Sequence, residues 1–216
     1  MEGQKSSDVQ SAYDRVADEY VRRIFEELKH KPLDRQLLDR FAARVQSLGP
    51  VCDMGCGPGH VARYLQGRGV LVSGVDLSPV MVEHARRLNP GIEFWQGDML
   101  ALDVEDEAWA GITAFYCLIH VPRSKVVAAL RELKRVLRPG GLLLLAFHIG
   151  DDVVHLDEWW GQQVSLDFIF FRPEEMRGFL ESAGFEVEEM IERDPYPDVE
   201  HQSRRAYVFA TKTTVG

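Results

Sequence analysis

One stretch limits the folds open to this 216-residue chain more than any other: Val51-Cys52-Asp53-Met54-Gly55-Cys56-Gly57-Pro58-Gly59. Its first half is a short apolar run fit for a buried strand, and its second half packs three glycines into five residues. A helix pattern follows at once, His60-Val61-Ala62-Arg63-Tyr64-Leu65. Glycine is required where the backbone takes positive φ or where a ligand lies against the main chain. A strand, a glycine turn and a helix N-terminus together make the nucleotide-binding corner of an open α/β sheet. A tight turn with no ligand would also use glycine, but it would not need three of them at this place.

The spacing separates two kinds of nucleotide site. A dinucleotide fingerprint needs glycine at positions 55, 57 and 60, whereas position 60 is His60 and the third glycine is Gly59. Asp53 also sits badly beside a pyrophosphate and suits a ligand that presents an ammonium group. Asp-x-Gly-x-Gly-x-Gly resembles the first motif of the class I S-adenosylmethionine-dependent methyltransferases. A nicotinamide oxidoreductase on the same sheet is the competing enzyme class, disfavoured by His60 and Asp53. A cofactor-binding regulatory protein without catalysis is the non-enzymatic alternative.

The rest of the chain bounds the answer. A length of 216 residues fits one domain, 1–216, with a sizeable core. A net charge of −9 gives no encouragement to nucleic acid or an anionic membrane as partner. No apolar run approaches a membrane span, and no signal-peptide core begins the chain. Three cysteines without metal spacing point to reduced thiols and a cytoplasmic location, and no metal site is expected.

Apolar residues recur every four positions from Asp8 to Leu28, and Leu33 to Leu48 forms a second helix closed by Gly49-Pro50, so residues 8–48 make an N-terminal helical cap. Strands are expected at Val70–Asp76, Ile92–Trp95, Gly111–Phe115 and Leu142–Phe147. Helices are expected after Ser78-Pro79 and from Pro122 to the Pro139-Gly140-Gly141 stop. This alternation predicts a doubly wound, mostly parallel α/β sheet. A helix over Glu174–Ala183 and strands at Phe185–Ile191 and Ala206–Thr211 end the chain. The resemblance implies seven strands with the last antiparallel.

Asp76 closes the second strand, where an acid can accept from both hydroxyls of a ribose. Asp98 closes the third, and in the resembling family that acid contacts the adenine amino group. The resemblance runs from Tyr13 to Lys212 and takes in Tyr13-Asp14 with Ala17 and Tyr20, Trp109–Phe115, Leu118-Ile119-His120-Val121-Pro122 and Leu137–Gly141. It departs at Ala110, where the family carries an acid. The S-adenosylmethionine site that it implies comprises Tyr13, Tyr20, Asp53, Gly55, Cys56, Gly57, Asp76, Leu77, Met81, Asp98, Met99 and Phe115.

Methyl transfer from a sulfonium is an in-line displacement that chiefly needs alignment, and a base only where the nucleophile must lose a proton. The expectation is a small-molecule acceptor, methylated on oxygen or nitrogen. His148, His201, His155 and Tyr116 are the candidate catalytic residues, with the three histidines converging above the methyl. Residues 149–172 form an insertion carrying His155, Trp159 and Trp160, then Val164, Leu166, Phe168 and Phe170 in alternation. Two adjacent tryptophans beside acids fit an aromatic acceptor pocket. A lid or a homodimer contact would bury the same side chains.

Overall fold

Proline and glycine divide the first fifty residues into the elements that cover the site. In the computed structural model, which describes residues 4–213, helix α1 spans Ser6–Ile24, a 3₁₀ turn spans Glu27–His30, and α2 spans Pro32–Val45 with proline in its first turn. The first helix stops short of the expected Leu28. A four-residue repeat drifts about 40° per step around a 3.6-residue helix, so Leu28 leaves the stripe that buries Ala12 and Val16. Helix α2 likewise ends before Leu48, whose side chain is exposed.

Strand β1 (Val51–Met54), α3 (His60–Gln66), β2 (Val72–Asp76), α4 (Pro79–Leu88), β3 (Glu93–Gln96), β4 (Trp109–Phe115), α5 (Arg123–Val136) and β5 (Leu137–His148) then alternate. Helix α6 (Pro173–Ala183), β8 (Phe185–Arg193) and β9 (Arg205–Lys212) end the described chain. The seven-stranded sheet runs β3-β2-β1-β4-β5-β9-β8, with β9 antiparallel to both of its neighbours. This is the expected doubly wound sheet with its last strand reversed. Helix α5 closes three residues before the proline-glycine triplet, because Leu137 already pairs with Trp109; Pro139-Gly140-Gly141 bulges out of β5 before pairing resumes at Leu142.

The run Leu142–Phe147 is continuously apolar because both of its faces are covered. Leu143, Leu145 and Phe147 pack with α5 and α6, while Leu142, Leu144 and Ala146 pack with α2, α3 and α4. The insertion is a separate hairpin, β6 (Val153–Trp159) with β7 (Gln162–Ile169). Its first strand escapes a reading by alternation, since most of its side chains are exposed or half-buried. Val164 and Leu166 of β7 bury against Val9, Ala12 and Val16 of α1. The hairpin and α1 thus form one cover over the strand ends.

Candidate functional site

In a parallel sheet all the carboxyl ends lie along one edge, and the loops leaving β1, β2, β3 and β4 meet there. Gly55, Gly57 and Gly59 all take positive φ, of 66°, 51° and 79°. At Gly55 a β-carbon would also stand 2.4 Å from Cβ of Cys117, so the turn after β1 and the loop after β4 approach as closely as glycine permits. The Gly57 amide donates to Oδ2 of Asp76 at 2.7 Å, and the Ser78 amide donates to Oδ1 at 2.8 Å. Asp76 therefore ties the glycine turn to the end of β2 and keeps a spare lone pair on each oxygen. Burial pushes its carboxyl up to about 6, against the pull of those two donors.

A cavity of about 870 Å³, solvent at its mouth included, fills this crevice beneath α1. Of the residues expected at the cofactor, Tyr13, Tyr20, Gly55, Gly57 and Asp76 line it, with Leu77, Asp98, Met99 and Phe115. Oδ1 of Asp98 accepts from the Leu100 amide at 2.9 Å, which leaves its other oxygen free for a donor.

Asp53, Cys56 and Met81 are buried behind that lining. Side chains alternate along β1, and Asp53 points to the α3 face. There Thr113 donates to its Oδ1 at 2.8 Å and the Ala62 amide to its Oδ2 at 3.1 Å. Burial pushes its carboxyl up to about 6. Asp53, expected beside a ligand's ammonium group, thus bonds one donor from β4 and one from α3.

The cover is aromatic. The rings of Trp159 and Trp160 stack at 4.6 Å, Trp159 meets Tyr13 edge-on at 5.7 Å, and Tyr20 meets both tryptophans at 6.0 and 6.1 Å. Trp160 and Gly161 form the hairpin turn with φ of 51° and 81°. Tryptophan at a left-handed position costs about 1–2 kcal/mol, and Trp160 holds it while packed against Tyr20 and under the Arg23 guanidinium.

His120, within the Leu118–Pro122 segment that carries the resemblance, lines the cavity. Its Nδ1 lies 2.9 Å from the Asp167 carbonyl and its Nε2 2.8 Å from the Tyr13 hydroxyl. A carbonyl only accepts, so the proton is on Nδ1 and Tyr13 donates to Nε2. Burial pushes the pKa down to about 4, which keeps the ring neutral. One imidazole thus joins α1, the β4 loop and the hairpin.

The histidines expected to converge do so only in part. His148, at the end of β5, lies 6.0 Å from His201 and 5.0 Å from Tyr116, ring to ring. His155 stands exposed on the hairpin, bonded to Asp167 at 2.6 Å. Burial, then Arg205, holds His148 down to about 3.

Behind Tyr116 lies a group that the sequence reading missed: Lys31, Asp34, Arg193, Glu200, Arg205 and Tyr207. These residues are buried or nearly so and come from four separate stretches of chain. Lys31 bonds Glu27 at 2.7 Å and approaches Glu200 at 3.3 Å. Arg193 bonds Glu200 and, at 3.2 Å, Asp34. The signal for them was weak, since all but Tyr207 are ordinary charged residues and Tyr207 reads as one more core residue of an apolar strand. No group of three or more histidine, cysteine, aspartate or glutamate side chains among the described residues is placed to hold a metal.

Known proteins share this fold. Residues 51–141 match the family described as "Methyltransferase domain". A malonyl-[acyl-carrier protein] O-methyltransferase of Enterobacter lignolyticus (strain SCF1) is 30% identical over 158 residues, 70% of this chain and 58% of that protein. The chain therefore spans little more than half the length of that relative. Among solved structures, the DhpI complex with S-adenosylhomocysteine superposes with a TM-score of 0.74 at 21% identity, covering 96% of this chain and 97% of that one. The [4+2]-cyclase SpnF superposes with a TM-score of 0.72 at 21% identity, covering 99% and 98%. These two likenesses establish the fold, and a cyclase among them shows that the fold does not fix the reaction. The sheet order and the glycine corner agree with that match: residues 51–141 are similar to the methyltransferase domain family, and the chain has the fold of the S-adenosylmethionine-dependent methyltransferases it superposes on.

Proposed function

We propose that the chain transfers the methyl group of S-adenosylmethionine to a small-molecule acceptor, on oxygen or nitrogen. The observation that carries this reading is the crevice itself. It puts acids at the ends of β2 and β3 beside a glycine turn of left-handed backbone, under an aromatic cover. Such a site suits a cation with a ribose and an adenine. Asp76 would accept from the ribose hydroxyls, Asp98 from the adenine amine, and Leu77, Met99 and Phe115 would flank the base. Tyr13 and Tyr20 would close over the sulfonium, with Gly55 and Gly57 beneath it. Asp53 would act from behind, by fixing the start of α3.

Transfer is an in-line displacement in which the chain holds the nucleophile about 3–3.5 Å from the methyl carbon. The acceptor would enter between Tyr116 and the Trp159–Trp160 pair, with His148 and His201 at the wall. The relative named for malonyl-[acyl-carrier protein] supports oxygen over nitrogen as the methylated atom, while the oxygen that a malonyl group offers is a carboxylate's. No described helix is long and apolar enough to cross a membrane, which fits an acceptor met in water.

Calorimetry with S-adenosylmethionine, S-adenosylhomocysteine, NAD and NADP tests the reading. Binding of the first two alone supports it. Binding of a nicotinamide dinucleotide in their place overturns it. Cofactor binding without S-adenosylhomocysteine formation across a panel of phenols, alcohols, amines and carboxylates would favour a regulatory protein.

A further inference from the structure

Tyr116 combines three features that its neighbours do not share. It lines the cavity, it takes a left-handed φ of 55°, and its hydroxyl leads into the buried ionic group. A tyrosine held in that backbone region is uncommon and persists only where its surroundings hold it there. Its hydroxyl lies 3.1 Å from the hydroxyl of Tyr207, a residue without solvent contact.

The Tyr207 hydroxyl donates to Oδ1 of Asp34 at 2.9 Å, so its single proton is committed there. Arg193 Nε donates to the same hydroxyl oxygen at 3.0 Å. Tyr207 can then only accept from Tyr116, and Tyr116 must be the donor. The chain therefore runs Tyr116 to Tyr207 to Asp34, every proton pointing away from the cavity. What the Tyr116 oxygen has left is lone pairs.

We infer that Tyr116, Tyr207 and Asp34 form a proton relay that takes the acceptor's proton during methyl transfer, with Asp34 as its terminal base. The inference rests on the methyltransferase reading of the site. In the step, a lone pair of the acceptor's oxygen or nitrogen forms the new bond to the methyl carbon. The carbon–sulfur bond breaks, and its electron pair stays on sulfur as a neutral thioether. The acceptor's proton passes to the Tyr116 oxygen as the Tyr116 proton passes to Tyr207 and the Tyr207 proton passes to Asp34. After the product leaves, water in the cavity receives the proton by the reverse route.

The surroundings suit a terminal base. Asp34 sits on α2, 1% exposed, facing Lys31 on its own helix's leading edge, Arg193 from the end of β8, Tyr207 from β9 and Glu27 from the 3₁₀ turn. Burial outweighs the two cations and leaves its carboxyl more basic than an ordinary aspartate. Lys31 and Arg205 each stand 5.7 Å from the centre of the Tyr116 ring and favour negative charge on its oxygen during the transfer. His148, held near 3 by burial, is a poorer resting place for a proton. The relay also sets the class of acceptor. A phenol, alcohol or amine presents the proton that Tyr116 can accept, whereas a carboxylate presents only lone pairs to lone pairs.

The test compares wild type with Asp34→Asn, Tyr207→Phe and Tyr116→Phe on phenols of graded acidity and on aliphatic carboxylates, reading S-adenosylhomocysteine. Each variant is expected to lower kcat on phenols by about 10²–10⁴-fold, more for the less acidic phenols, with KM and S-adenosylmethionine affinity little changed. The acid limb of the wild-type kcat–pH profile should vanish in Asp34→Asn, a change that a merely structural role would not produce. Infrared titration supplies a readout that needs no acceptor: a protonated carboxyl band should be absent in Asp34→Asn and displaced in Tyr207→Phe. Full kcat in the variants, turnover of carboxylates alone, or a carboxyl band indifferent to Tyr207→Phe would each overturn the relay. Failure of wild type to bind S-adenosylmethionine would remove the methyltransferase reading itself. Binding with unimpaired variants would remove the relay alone.

Discussion

The corner proposed for the cofactor and the side proposed for the acceptor are built in opposite ways. The corner is local: Gly55, Gly57, Asp76 and Asp98 each stand within a few residues of a strand's end, and one sheet edge collects them. The acceptor side is assembled across the chain. Asp34 meets Tyr207 from 173 positions away and Arg193 from 159. A corner made of backbone turns admits one ligand shape. A wall made of side chains from distant elements changes with any one of them, so the acceptor can differ where the cofactor does not.

The largest expected effect falls on the local side. Asp76→Ala removes the acceptor of two ribose hydroxyls, each worth about 1.5–3 kcal/mol when bonded to a charge, so cofactor Kd should rise roughly 10²–10⁴-fold. It also frees the Gly57 amide, which Asp76 now holds at 2.7 Å. Calorimetry on the folded variant measures the change, and unaltered affinity would detach the end of β2 from the ribose.

Trp160→Ala tests the other side. The ring stacks on Trp159, meets Tyr20 and lies under Arg23, and losing a large buried apolar surface costs about 1.5–3 kcal/mol. If that surface receives the acceptor, KM for the acceptor should rise roughly 10- to 100-fold while cofactor affinity changes little. A loss of dimer instead, seen by sedimentation, would make the hairpin an interface. Equal damage to both ligands would erase the distinction between the two sides.

Legibility follows the same division. Helix, strand and glycine punctuation repeat every few residues, so the sheet and its reversed last strand could be read from the chain, and nine of the twelve residues expected at the cofactor line one cavity. Asp53 could be placed in sequence but not aimed, since one step of strand alternation decides between ligand and core. Asp34, Arg193 and Glu200 had no pattern to betray them: their burial results from packing α2 against the β8–β9 loop. The hairpin cover was legible through Val164 and Leu166, whereas its exposed first strand was not.

The pH dependence of cofactor binding should be a smaller effect. Asp53 and Asp76 both have carboxyls raised to about 6, chiefly by burial. A raised carboxyl pKa favours the protonated form, so its contribution to stability is present at low pH and lost as pH rises through about 6. A sulfonium and two ribose hydroxyls favour the ionised form instead. Cofactor binding should therefore release protons between about pH 5 and 6. Affinity should weaken by up to tenfold per unit below pH 6 for each carboxylate coupled to it. Calorimetry in buffers of different ionisation enthalpy counts those protons. Asp76→Asn should abolish most of the release, and a count unchanged by that variant would assign it elsewhere.

The smallest effects should come from the histidines, and they bear on the proton. His148 can accept a hydrogen bond at neutral pH, but burial and Arg205 hold it near 3, so its ring gives up a captured proton readily. A base working near pH 7 gains most from a pKa near that value. His148→Asn, which retains a polar partner for Ser203, should therefore lower kcat less than about tenfold, against the 10²–10⁴-fold expected of a base. His155→Ala should change neither kcat nor cofactor affinity, because that ring is exposed and bonded to Asp167 on the hairpin. Its stability cost should stay within about 0.5 kcal/mol. A pH–rate profile of both variants beside wild type, on any acceptor the protein methylates, decides the matter. A loss of 10² or more in His148→Asn, with an ionisation near neutrality removed, would make the imidazole the base and leave the buried carboxylate a structural partner of Arg193.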